Sequence, residues 1–64
     1  MNEKEIMKNA ELLIDYFNSS YDVICFAFSI YGLNECTLNN LTFFYSGYQD
    51  FGSFYDSEIE NVEN

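Results

Sequence analysis

YDVICFAFSIY, residues 21–31, is the stretch whose periodicity decides the fold. Alternation places Ile24, Phe26, Phe28 and Ile30 on one face and Val23, Cys25, Ala27, Ser29 and Tyr31 on the other. The β-branched and aromatic content suits a strand. The even face carries the bulkier side chains and is expected to pack on a helix. The odd face is small and weakly polar, as on a central or partner-covered strand. Residues 21–31 are therefore expected to form a β-strand.

Upstream, Ile6, Met7, Ala10, Leu13, Ile14 and Phe17 recur at i, i+3, i+4 and i+7, which predicts an amphipathic helix over about 3–18. Asn2 can cap its start, Glu3 and Glu5 suit the positive end of its dipole, and Asn18-Ser19-Ser20 supplies a stop. Downstream, Gly32-Leu33-Asn34-Glu35 reads as a turn, because Gly and Asn tolerate positive φ. A second strand is expected over 36–45, with Leu41, Phe43 and Tyr45 alternating against Thr42 and Phe44; Asn39-Asn40 is a rival turn centre. Ser46 to Asp50 reads as a loop. A third strand over 51–55 and an acidic tail over 56–64 complete the chain, against a competing helical reading in which Ser53 and Asp56 form a capping box. The expected fold class is α+β: one amino-terminal helix packed on a small antiparallel sheet of two to three strands, in a single domain.

The charge distribution is one-signed. The only positive side chains are Lys4 and Lys8, and nine of the eleven carboxylates lie beyond them in a stretch without Lys, Arg or His, for a net charge of -9 on 64 residues. Such a field attracts basic partners and repels nucleic acid and anionic membrane. The chain is nonetheless too apolar for a solvated tail, at 48% hydrophobic with seven Phe and six Tyr. A domain of this length buries only about 60% of the surface its unfolded chain exposes, so a homodimer is expected to supplement its stability.

Catalysis has little to work with. Without histidine the commonest general base is missing, and without arginine so is the usual anion clamp. Cys25 lies in the most apolar run, where a thiol is expected to be buried and inert, and Cys36 is expected to be more exposed. Their spacing is neither a disulfide framework nor a C-x-x-C site. The acids over 50–63 lack the spacing of a calcium loop. Neither an enzyme nor a cofactor or metal site is expected. Glu3, Glu5, Glu11 and Asp15 interrupt any signal-like stretch, and Val23 to Tyr31 falls short of the ~20 residues that span a bilayer, so the expected location is the cytoplasm.

Carboxylates can imitate a row of phosphates. Neighbours at i, i+4 on a helix lie ~6 Å apart, and neighbours at i, i+2 on a strand ~6.6 Å apart. Glu11 and Asp15 have the first spacing, and Asp56, Glu58 and Glu60 have the second if extended. The residues expected to contact a partner are Glu11, Asp15, Glu35, Asp50, Asp56, Glu58, Glu60 and Glu63, with Tyr48 and Tyr55 as aromatic anchors. In size, charge and aromatic content the whole chain resembles the small acidic proteins that bacteriophages encode to inhibit host DNA-binding proteins by mimicking DNA. That class includes inhibitors of sliding clamps, nucleoid proteins, uracil-DNA glycosylase and CRISPR nucleases. The resemblance implies a basic DNA-binding host protein as partner, a bacterial cytoplasm as location, and no direct contact with nucleic acid. The alternative is a small acidic interaction module, antitoxin-like or an adaptor, acting through an apolar face.

Overall fold

The computed structural model describes residues 2–60, and every element in that span is helical. α1 runs over Glu3–Phe17, α2 over Tyr21–Tyr31, α3 over Glu35–Ser46 and α4 over Phe51–Phe54, which continues into a π-helical segment, Tyr55–Glu60. The α+β expectation is thereby corrected. The amino-terminal helix forms as its periodicity predicts, but 21–31, 36–45 and 51–55 are not strands.

The physical reason lies at the helix starts. The Asn2 side chain accepts from the Glu5 amide at 2.9 Å, and the Glu5 carboxylate accepts from the Asn2 amide at 3.3 Å, closing a capping box on α1. Ser20 accepts from the Asp22 amide at 3.2 Å at the start of α2. The Asn34 side chain accepts from both the amide and the hydroxyl of Thr37 at the start of α3, and Asp50 accepts from the Ser53 amide at 2.7 Å at the start of α4. Each cap satisfies a backbone donor that has no partner within its own helix. The three longer helices end as abruptly as they begin. Asn18 adopts the left-handed conformation (φ 53°), and Gly47 does the same after α3 (φ 85°), a geometry in which any Cβ is strained.

Burial follows the helical period. Ile24 and Phe28 are buried at i, i+4, whereas Phe26 and Ile30, expected to share their face, are exposed. In α3 the sequence neighbours Leu41 and Thr42 are both buried and Phe43 and Phe44 both exposed, a doublet pattern that strand alternation forbids. The core gathers Ile6, Ala10 and Leu13 of α1, Ile24 and Phe28 of α2, Leu38 and Leu41 of α3, and Phe51 and Phe54 of α4. The buried Thr42 hydroxyl donates to the Leu38 carbonyl at 2.9 Å, so its polarity costs little.

α2 and α3 are joined by a short connection over residues 32–34. The Ser19 and Tyr45 hydroxyls meet at 2.7 Å, which holds the start of α2 beside the end of α3. The two helices therefore run antiparallel. α1 packs on both, and α4 closes against α3.

Candidate functional site

The carboxylates expected to act together are dispersed by the helical fold. Glu11 and Asp15 remain one turn apart on the solvent face of α1, but Lys4 and Lys8 occupy the same face one and two turns earlier. Glu35 lies exposed in the first turn of α3, where it complements the helix dipole. Asp56 and Glu60 are exposed on the π-helical segment, and Glu63 lies outside the described residues. The strand spacing supposed for Asp56, Glu58 and Glu60 is absent, because side chains two apart on a helical segment do not share a face.

Two of the expected contact acids are engaged within the molecule. Asp50 is the α4 cap, and the hydrogen bond from the Ser53 amide holds its carboxyl below the usual range. Glu58 receives the Tyr48 hydroxyl at 2.7 Å and the Tyr16 hydroxyl at 2.8 Å. Tyr48 and Glu58 are thus brought together, facing each other rather than a partner. The two hydroxyls lower the Glu58 pKa, and the same bonds raise those of Tyr16 and Tyr48. In the wider turn of the π-helical segment, Ile59 packs against the core beside this latch. Tyr55 is exposed at its edge, with its ring 5.9 Å from that of Phe51.

The latch has a defined pH window. A lowered carboxyl pKa stabilises the fold above about pH 4.3, the ordinary glutamate value, and that contribution is lost as pH falls through the lowered pKa. Raised tyrosine pKa values stabilise it below about pH 10 and are lost as pH rises through them. Glu58→Gln is therefore expected to melt below the wild type by a margin that is widest from about pH 5 to 9 and narrows toward both extremes. Thermal melts across that range test this, and a margin indifferent to pH would show that Glu58 acts through packing alone.

The larger feature is apolar, and the strand reading concealed it. α2 presents Phe26 (69% exposed), Ile30 (55%) and Tyr31 (70%) to solvent, and α3 presents Phe43 (61%) and Phe44 (75%). Between the two helices runs a groove of 330 Å³ lined by Ala27, Tyr31, Thr37, Asn40 and Leu41. Asp22 is the only charged residue of α2 and Glu35 the only one of α3. Protein surfaces seldom leave so many large side chains in water without a partner to cover them. The signal was present in the sequence as the row Val23, Phe26 and Ile30 at i, i+3 and i+7, legible once 21–31 is set on a helix.

Cys25, expected to be buried, is exposed, as is Cys36. Among the described residues no cluster of three or more His, Cys, Asp or Glu side chains is gathered to hold a metal, and no helix is long and apolar enough to cross a membrane. No protein-family model matches this chain, and neither a curated protein nor a solved structure matches it.

Proposed function

We propose that the protein is a non-enzymatic interaction module that docks a partner protein on the α2 and α3 face. The observation that carries this reading is the exposure of Phe26, Ile30, Phe43 and Phe44 on two helices with one charged residue each. An interface core is depleted of charge and rich in aromatic residues, and this face has that composition. The acidic remainder of the surface speeds encounter with a basic partner and contributes less to holding it. The thiols of Cys25 and Cys36, both exposed, fit a reducing compartment such as the cytoplasm.

A second reading is favoured by one observation, the exposed pair Glu11 and Asp15 within a chain of net charge -9. In it, the protein mimics DNA and occludes a basic nucleic-acid-binding protein of a bacterial host. The two readings separate on salt and on mutation. A partner recovered by pull-down is expected to stay bound at high salt and to lose at least about thirtyfold in affinity when Phe26 and Phe44 are both changed to Ser. Changing Glu11, Asp15, Asp56 and Glu60 to their amides is expected to slow association while leaving dissociation nearly unchanged. If instead the amide variant abolishes binding, the Ser variant does not, and the complex displaces DNA from the partner, mimicry replaces docking.

A further inference from the structure

We propose that the cavity around Glu58 binds an organic cation carrying a quaternary ammonium group, a site that goes beyond the docking reading and does not rest on it. Tyr16, Phe17, Tyr45, Ser46, Tyr48 and Glu58 line a cavity of 350 Å³, and none of them lines the groove between α2 and α3. The lining is thus aromatic rings around a carboxylate. Phe17 and Tyr45 stack at 5.5 Å with 14° between their planes, and Tyr16 stands at 68° to Phe17 with centroids 4.8 Å apart, so the rings bound the cavity in two orientations. Tyr16 is exposed and the others are partly buried, which leaves the cavity open to a small guest.

The lining selects first the charge of the guest and then its chemistry. Glu58 is kept in the charged form at neutral pH by the hydroxyls of Tyr16 and Tyr48, and no cation lines the cavity with it. Lys8 stands about 12 Å before Tyr16 along the axis of α1, and Lys4 farther still. An anion is therefore repelled. A cation meets the carboxylate, ring quadrupoles that attract it within about 6 Å of their centroids, and the field of a chain of net charge -9. A metal ion finds one carboxylate where it wants several oxygen ligands. A primary ammonium brings three N–H donors, and the hydroxyls of the lining are already engaged. Tyr16 and Tyr48 donate to Glu58, Tyr45 pairs with Ser19 at 2.7 Å, and Ser46 donates to the Thr42 carbonyl at 2.7 Å and accepts from the Tyr48 amide at 3.2 Å. A quaternary ammonium has no N–H to satisfy. It needs only charge and ring surface, which this cavity supplies.

The test titrates choline into the full chain at matched ionic strength, followed by NMR, beside its neutral isostere, in which a tert-butyl group replaces the trimethylammonium group, and beside ethanolamine as the primary ammonium. Choline is expected to shift the ring resonances of Tyr16, Phe17, Tyr45 and Tyr48 saturably and to bind at least about fivefold more tightly than either comparison. Glu58→Gln keeps an acceptor for the tyrosine hydroxyls and is expected to weaken choline at least about tenfold. Glu60→Gln, which removes an exposed charge from the same segment, is expected to leave choline binding unchanged. A peptide bearing one trimethyllysine distinguishes the source of the group: tighter binding than choline assigns it to a protein side chain, and binding no tighter assigns it to a free small molecule. Equal affinity for choline and its isostere reduces the cavity to an apolar crevice and overturns the proposal, as does equal affinity for ethanolamine or the absence of a saturable shift at these rings. Equal weakening by Glu58→Gln and Glu60→Gln overturns it too, since net charge alone then holds the cation. The comparison with the isostere uses the unaltered chain, so it decides the matter even where Glu58→Gln loosens the π-helical segment, and none of these outcomes touches the docking reading.

Discussion

Replacing Phe54 by alanine is expected to leave the chain mostly unfolded at room temperature. Phe54 is fully buried, and its ring lies against four others: Tyr16 at 5.2 Å, Phe17 at 5.7 Å, Phe51 at 5.8 Å and Tyr48 at 6.1 Å. It joins α1 to α4, and both tyrosines that hold Glu58 lean on it. Removing a buried phenylalanine costs about 3–5 kcal/mol, from lost transfer free energy and the cavity left behind. A single core in a domain this small supplies no more than about 3–5 kcal/mol of net stability. The two magnitudes are comparable, so the variant has little or no margin. Circular dichroism with urea titration measures it directly, and a cooperative transition within about 1 kcal/mol of the wild type would show that α4 is not integral to the core.

The second large effect is a contrast between two isoleucines in the same helix. Ile24→Ala is expected to destabilise the protein by about 2–5 kcal/mol, and Ile30→Ala to change stability by less than about 0.5 kcal/mol. Ile24 is fully buried and Ile30 is 55% exposed, though both carry the same side chain and stand an even number of residues apart. On a strand they would share a face and cost the same; on a helix, six residues apart, they do not. Equilibrium unfolding of both variants decides between the geometries without a new structure. Equal losses would restore the strand.

The contrast also marks where the sequence was legible. α1 could be read because its apolar and charged residues segregate by helical period, with Asn2 and Glu5 in capping-box register. α2 carries two periods at once. Ile24 and Phe28 satisfy helix and strand alike, and because Phe26 and Ile30 stay apolar while facing water, alternation looks complete. A solvent-facing apolar row thus disguised the fold. The discriminating residues were the polar ones: Ser20 and Asn34 at the positions where caps belong, and Asn39 and Asn40 inside a segment where a strand tolerates them poorly. The net charge of the candidate site was legible, but its division of labour was not. Nothing local tells that Glu58 is held by Tyr16, 42 residues earlier, while Asp56 and Glu60 are left to solvent.

The connections over 18–20, 32–34 and 47–50 are short, and they bear on how quickly the chain reaches its native state. Each lets a helix meet its sequence neighbour after closing only a small loop, so chain entropy presents a low barrier to most of the tertiary structure. Helical domains of such local topology fold in microseconds to milliseconds. The docking of Glu58 onto Tyr16 spans most of the chain and is expected to come last, after the three longer helices have assembled. A nascent chain would therefore hide Ile24, Phe28 and Leu38 soon after they emerge, leaving its oily outer row exposed for a chaperone or a partner to find.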